Sequence, residues 1–232
     1  MRRKGAFRDQ LAATERCIEA GIAPRWQLFI TKRCLGELKE FLRLMHELDL
    51  FRRCGHIGGK FEFFSGGISP EGCGYEIEDV RLEQSDLELI PHELITLSRD
   101  GLNMLGQPER DLLEELMHDD NPPLISANFP CVAVDADLNV YPNMAEPAEW
   151  WRLGNLKSDG IDSILKAYRD GFTPGMTANN TIPMSELAGR YGVPNSQKLY
   201  DQSDLVCRFM HQWGVDYTEG ILQRLSDKGF LE

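Results

Sequence analysis

The stretch DADLNVYPNMAE, residues 135 to 146, sets Asp135, Asp137, Asn139 and Glu146 at positions 1, 3, 5 and 12 of a twelve-residue loop. That is the oxygen-ligand spacing of a calcium-binding EF-hand. Position 6 is Val140, however, where the sharp turn of such a loop needs glycine, and VAVD upstream has the period of a strand rather than of a flanking helix. CVAVD and LNVYP read instead as the two arms of a hairpin turning at 136 to 138, although the favoured Asn-Gly pair is absent. The other ligand-type residues are scattered. Six cysteines stand at 17, 34, 54, 73, 131 and 207 with no CxxC or CxxxCxxC among them, which suits reduced thiols better than a disulfide framework. His46, His56, His92, His118 and His211 have no i, i+4 pairing and no cysteine at ligand spacing, so they read as surface or core histidines.

The elements that would position these groups follow from the apolar periods. Phe7, Leu11, Thr14, Ile18 and Ile22 recur at helical spacing, with Gly21 and Pro24 to end the run, which predicts a helix from about 8 to 20. RWQLFIT is short, aromatic and β-branched and reads as a strand. Leu35, Leu38, Leu42, Met45 and Leu48 make LGELKEFLRLMHELDLF a second amphipathic helix, and GKFEFFSGG a second strand. Helix, strand, helix, strand with short connections is the pattern of a parallel sheet covered by helices. Two further helices are expected in PHELITLSRDGLNML and PERDLLEELMHDD, each with a proline in its first turn, before NPP at 121 to 123 breaks the chain. The tail reads as small helices, MSELAGRYG, KLYDQSDLVCRFMHQWG and EGILQRLSDKGFLE, and the reading assigns no chemistry to it.

Composition narrows the function classes. A chain of 232 residues, 42% hydrophobic and 27% charged, makes one large domain or two small ones. Asp plus Glu is 37 against Lys plus Arg 25, a net charge of -12 spread along the chain, which disfavours a nucleic-acid partner. No apolar run approaches the roughly 20 residues needed to span a bilayer, and MRRKGAFRDQ lacks the apolar core of a signal peptide, so a cytoplasmic location and no membrane association are expected.

NVYPNMAEPAEWWRLGNLKSDGIDSILKAYRDGF resembles the C-terminal extension of radical SAM enzymes known as the SPASM or twitch domain. There a hairpin ending in VYPC is followed by a loop, LGN and a short helix. VYP at 140 to 142 and LGNL at 153 to 156 match, while Asn143 stands where the family has cysteine and Cys131 lies too near the hairpin to be a first cluster ligand. KGAFRDQLAATERCIEAGIAPRWQLFITKRCLGELKEFLRLMHELDL is similar to the later half of the radical SAM barrel. The resemblance covers roughly residues 1 to 70 and 128 to 172, extends more weakly over 180 to 217, and implies an α/β fold. A partial (β/α)6 TIM-like barrel with its following helices would occupy 1 to 120, and a hairpin-containing α+β region with a helical tail 121 to 232.

In that family three thiolates of CxxxCxxC hold a [4Fe-4S] cluster whose open iron chelates S-adenosylmethionine. The motif is absent here, so the resemblance implies S-adenosylmethionine and [4Fe-4S] as cofactors of a completed enzyme acting on a peptide or small molecule, neither held tightly by this chain alone. It also implies an N-terminal radical SAM half as partner. Arg2 and Arg3 stand where many relatives have an arginine near the methionine carboxylate, a contact that suits a guanidinium, although a basic pair near a terminus is more often just solvated. Gln27 and Thr31 alternate with Trp26, Leu28 and Ile30, so their face would line a barrel lumen where relatives bind adenosine and substrate. Glu62, between Phe61 and Phe63, would reach a substrate from a lumen or be solvated on an edge strand. Ser65 opens SGGIS, whose backbone N–H groups would approach a ligand, an ordinary turn being the plainer reading. Exposed strand edges predict self-association. The competing expectation is a non-catalytic peptide- or protein-binding module that keeps the fold remnant.

Overall fold

The expected alternation of helix and strand opens the computed structural model, which describes residues 4–66, 78–98, 105–124, 131–142 and 147–227. The chain divides into two units, Met1–Ile68 with Val80–Gly106 and Ser69–Asp79 with Gln107–Glu232. Both mix helix with strand.

In the first unit α1 (Ala6–Glu19) buries Thr14 and Ile18 and gives way at Ala20 to Gly21, whose φ of 76° only glycine adopts without strain. Thr14 Oγ1 accepts a 2.9 Å hydrogen bond from Trp26 Nε1, which ties the helix to β1 (Arg25–Phe29). A single helix expected over 35 to 51 is in fact two. α2 (Leu38–Leu48) ends at Asp49, which takes the left-handed conformation at φ 49°, and α3 (Leu50–His56) restarts immediately. Aspartate tolerates that conformation better than the leucines beside it. The break lets Leu38 and Met45 on one helix and Leu50 and Cys54 on the next all be buried. β2 (Glu62–Gly66) returns parallel to β1, in register from Arg25↔Glu62 to Phe29↔Gly66. This is a βαβ unit, as the order of periods predicted.

Alternation along the two strands decides which face is covered. Trp26 and Phe63 are buried while Arg25, Gln27 and Phe29 are exposed. Trp26 meets Phe61 edge-on at 5.8 Å between ring centroids, and Phe51 meets Phe61 at 5.0 Å and 88°. Such edge-to-face pairs add about 0.5–1.5 kcal/mol each beyond the area they bury. A 3-10 turn at Gln84–Leu89 leads into α4 (His92–Leu97), which buries Leu94. α4 ends at Leu97 with Ser98 extended, and residues 99 to 104 of the helix expected through 105 lie outside the described residues.

In the second unit β3 (Gln107–Pro108) pairs antiparallel with β7 (Leu199–Tyr200), bracketing α5 (Glu109–Leu116). β4 (Val132–Val134), β5 (Asn139–Pro142) and β6 (Gly154–Asn155) form an antiparallel sheet in that order. α6 (Ile161–Asp170), α7 (Pro174–Thr181), α8 (Met184–Tyr191) and α9 (Gln202–Asp227) complete it. The core gathers Leu112 and Leu116 of α5, Val140 and Tyr141 of β5, Trp151, Ile164, Leu187, and Leu205, Phe209 and Met210 of α9. The expected pair of tail helices is one helix of 26 residues. Interior glycines cost about 1 kcal/mol each relative to alanine, and burial of the Leu205, Val206, Phe209, Met210 stripe outweighs that. Among the described residues no helix is long and apolar enough to cross a membrane.

The hairpin at 132 to 142 is present, and Asp135 explains its turn. Its Oδ1 accepts from the backbone N–H groups of Asp137 and Asn139 at 2.9 Å, and its Oδ2 from Asn139 Nδ2 at 3.0 Å and Tyr141 Oη at 3.2 Å. The carboxylate first in the calcium spacing is thus already saturated by its own turn, an Asx arrangement that needs no Asn-Gly. Glu146 lies outside the described residues. The Asn139 side chain, and after it the backbone N–H of Asn139 and the Tyr141 hydroxyl, hold the Asp135 carboxyl below the usual carboxylate range. A carboxyl with a lower pKa folded than unfolded stabilises above the unfolded value, near 3.9, and loses that stabilisation as pH falls through the folded value. Asp135→Asn should therefore flatten the acid limb of the stability profile, read by urea melts between pH 5 and pH 2. Millimolar calcium should leave the wild-type melting temperature unchanged. A calcium-dependent rise lost in Asp135→Asn would restore the loop reading.

Candidate functional site

The residues singled out for a barrel lumen come partly together. Gln27 and Glu62 share the open face of the β1–β2 sheet, where Glu62 Oε2 pairs with Arg25 Nη2 at 2.5 Å and Arg25 lies over the Phe64 ring at 4.9 Å. Phe29 stands half exposed on the same face. Thr31 lies beyond the end of β1, drawn into a turn with Cys34: Thr31 N donates to Cys34 Sγ at 3.2 Å, and the thiol donates back to the Thr31 carbonyl at 3.2 Å. Ser65 pairs in register with Leu28, one step from the Gln27↔Phe64 pair. Arg2, Arg3 and Asn143 lie outside the described residues.

The LGN segment has a clear structural task. Asn155 Nδ2 donates to the Asp137 carbonyl at 2.9 Å and to Asn139 Oδ1 at 2.8 Å, while its backbone N–H donates to Asp159 Oδ2 at 2.7 Å. One side chain therefore fastens the hairpin turn to the strand that enters α6. Gly154 is required beside it, since a Cβ there would stand 2.9 Å from Ile164 Cγ1.

The described residues do not gather the donors that an iron-sulfur cluster needs. Among the described residues no three His, Cys, Asp or Glu side chains gather at metal-ligand distance. Cys34 is engaged with Thr31, and burial pushes the Cys54 thiol up, away from the thiolate a cluster needs. Cys73 is outside the described residues.

The most elaborate polar arrangement lies on the tail, where no motif in the sequence points to chemistry. Arg208, His211, Gln212, Val215 and Asp216 fall at i, i+3, i+4, i+7 and i+8 on α9 and, with Glu78 and Tyr191, line a cavity of about 480 Å³. Behind it Glu109, at 0% exposure, accepts from Val193 N at 2.9 Å and from Arg208 Nη2 through Oε1. The Arg208 side chain is 11% exposed and stacks on Tyr200 and Phe209 at 5.1 and 5.3 Å. Glu78 accepts from Tyr200 Oη and pairs with Lys198 at 3.7 Å. Asp216 Oδ2 accepts from Arg190 Nη2 at 2.7 Å and from Tyr191 Oη at 3.0 Å. Burial, aided by the bond to Asp216, pushes the Tyr191 phenol up to about 12, so its hydroxyl remains a donor throughout the ordinary pH range. The signal for this stripe was the opposition on α9 between these polar residues and Leu205, Val206, Phe209 and Met210.

No family model, curated protein or solved structure matches the chain.

Proposed function

We propose that this chain is the C-terminal portion of a radical SAM enzyme, with the first unit supplying later strands and helices of a (β/α)6 barrel and the second a SPASM/twitch-like extension. In completed form it would act on a peptide or small-molecule substrate with S-adenosylmethionine and a [4Fe-4S] cluster. The observation that carries the reading is the order hairpin, LGN strand, helix in β4, β5, β6 and α6, fastened by Asn155 to the turn of the hairpin. That is the arrangement the VYP and LGN resemblance implies. The parallel β1–β2 pair supports the barrel half of the proposal, because Gln27 and Glu62 present an amide and a carboxylate on one open face. In this reading the face looks into the lumen, Arg25 orients Glu62, and Gln27 offers both a donor and an acceptor to a polar ligand.

Among the described residues the thiols are not gathered to hold the cluster, so in this reading a CxxxCxxC-bearing half would supply those ligands and the greater part of the S-adenosylmethionine site. The test is to join such a half to this chain, fused or co-expressed, and reconstitute it anaerobically with iron and sulfide. Reductant-dependent cleavage of S-adenosylmethionine is expected in the joined protein and not in this chain alone. Calorimetry on this chain alone should find binding weaker than micromolar. Micromolar binding by the isolated chain would overturn the fragment reading, and a fully assembled cluster without cleavage would favour the non-catalytic module.

A further inference from the structure

The cavity beside α9 has no part in that reading, and its chemistry points to its own ligand. Each charge that lines it is compensated: Arg208 by Glu109, Glu78 by Lys198, Asp216 by Arg190. An anion would gain Arg208 and be opposed by Glu78 and Asp216, while a cation would meet the reverse. A molecule carrying both signs complements both ends. Tyr191 measures the distance between them. Its backbone carbonyl accepts from Arg208 Nη2 at 3.4 Å and its hydroxyl donates to Asp216 Oδ2 at 3.0 Å, so guanidinium and carboxylate stand at opposite ends of one tyrosine. Among the described residues Arg208 Nε and Gln212 Oε1, both on the wall of this cavity, are buried without a hydrogen-bond partner.

We propose that this cavity binds a small zwitterion whose charges are separated by about the length of a dipeptide, its carboxylate on Arg208 and its ammonium on Asp216. An extended chain spans about 3.3–3.6 Å per residue, so a dipeptide covers about 7 Å and a single α-amino acid falls short. The cavity lies within the usual range for small-molecule sites. His211, beside the Trp150 ring at 6.5 Å between centroids, gives the wall a partly aromatic surface. The site stands whether or not the chain belongs to a radical SAM enzyme.

The test is calorimetry of the full chain with glycylglycine, 6-aminohexanoate, glycine, N-acetylglycylglycine and glycylglycinamide. Glycylglycine and 6-aminohexanoate should bind, and glycine and both singly charged peptides at least roughly tenfold more weakly, the size of effect expected when one charge-assisted hydrogen bond is lost. Two substitutions leave the Glu109–Arg208 pair in place. Asp216→Asn should weaken glycylglycine roughly tenfold without altering the N-acetylated peptide, and Val215→Trp should fill the cavity and abolish binding. Equal binding of capped and uncapped peptides, no binding of glycylglycine at millimolar concentration, or full binding by Val215→Trp would each overturn the proposal.

Discussion

Glu109→Ala should destabilise the second unit by roughly 3–5 kcal/mol, the range observed when one partner of a buried ion pair is removed. Glu109 is the first residue of α5 and its side chain is fully buried. Its Oε1 takes both the Val193 N–H and the Arg208 guanidinium, while its own backbone N–H donates to the Lys198 carbonyl at 2.9 Å. The substitution spares that backbone bond and strands two donors. Arg208 is held in place beside the vacated site, because Tyr200 and Phe209 stack on it and the Tyr191 carbonyl accepts from it. Glu109→Gln should cost less, since its amide oxygen can still accept from Val193. A double replacement, Glu109→Leu with Arg208→Met, should restore most of the loss, because removing both charges also removes the desolvation that each imposes. Urea melts of the four proteins give the answer. A Glu109→Ala midpoint shift worth under 1 kcal/mol would mean that the pair is solvated in solution.

That pair also marks where the sequence stops being legible. The stripe on α9 that carries Arg208 could be read from spacing, but the counter-ion of that arginine stands 99 residues earlier, and the glutamate that holds Tyr200 lies 122 residues before it. Nothing local to either residue predicts the encounter. The hairpin was legible for the opposite reason: Asp135, Asn139 and Tyr141 lie within a few residues of one another, so local chemistry makes the turn. The parallel pairing of β1 and β2 was legible too, because connection length and apolar period both point to it. The Asp49 break was hidden, since Leu48, Leu50 and Phe51 continue the apolar run and a single left-handed residue leaves no periodic trace. Of the lumen candidates, Gln27 and Glu62 share a face because strand alternation is a backbone property. Thr31 does not join them because a cysteine three residues on captures its backbone.

Gly214→Ala is the second large loss expected, and its sign runs against helix propensity. Within a helix this exchange normally stabilises by about 0.5–1 kcal/mol. At Gly214, however, a Cβ would stand 2.2 Å from Trp150 Cε2, 2.4 Å from Nε1 and 2.5 Å from Cζ2. The indole ring lies in a notch that only glycine leaves open, and its buried N–H finds no acceptor among the described residues, so the fit is one of shape. Gly175 repeats the device, with Trp151 Cε3 2.6 Å from the corresponding Cβ. Displacing a packed ring should cost about 1–3 kcal/mol net of the propensity gain. Gly220, on the same helix and with nothing within 4 Å of its Cβ position, is the internal control: Gly220→Ala should raise the melting temperature while Gly214→Ala lowers it. Pairing Gly214→Ala with Trp150→Ala should cost less than the two single losses added together, because the ring that clashes is gone. Since Trp150 also backs His211 beside the α9 cavity, Gly214→Ala should weaken glycylglycine binding as well. A Gly214→Ala protein as stable as Gly220→Ala would show that the indole does not occupy the notch, and the long tail helix would then need another reason to carry glycine at that point.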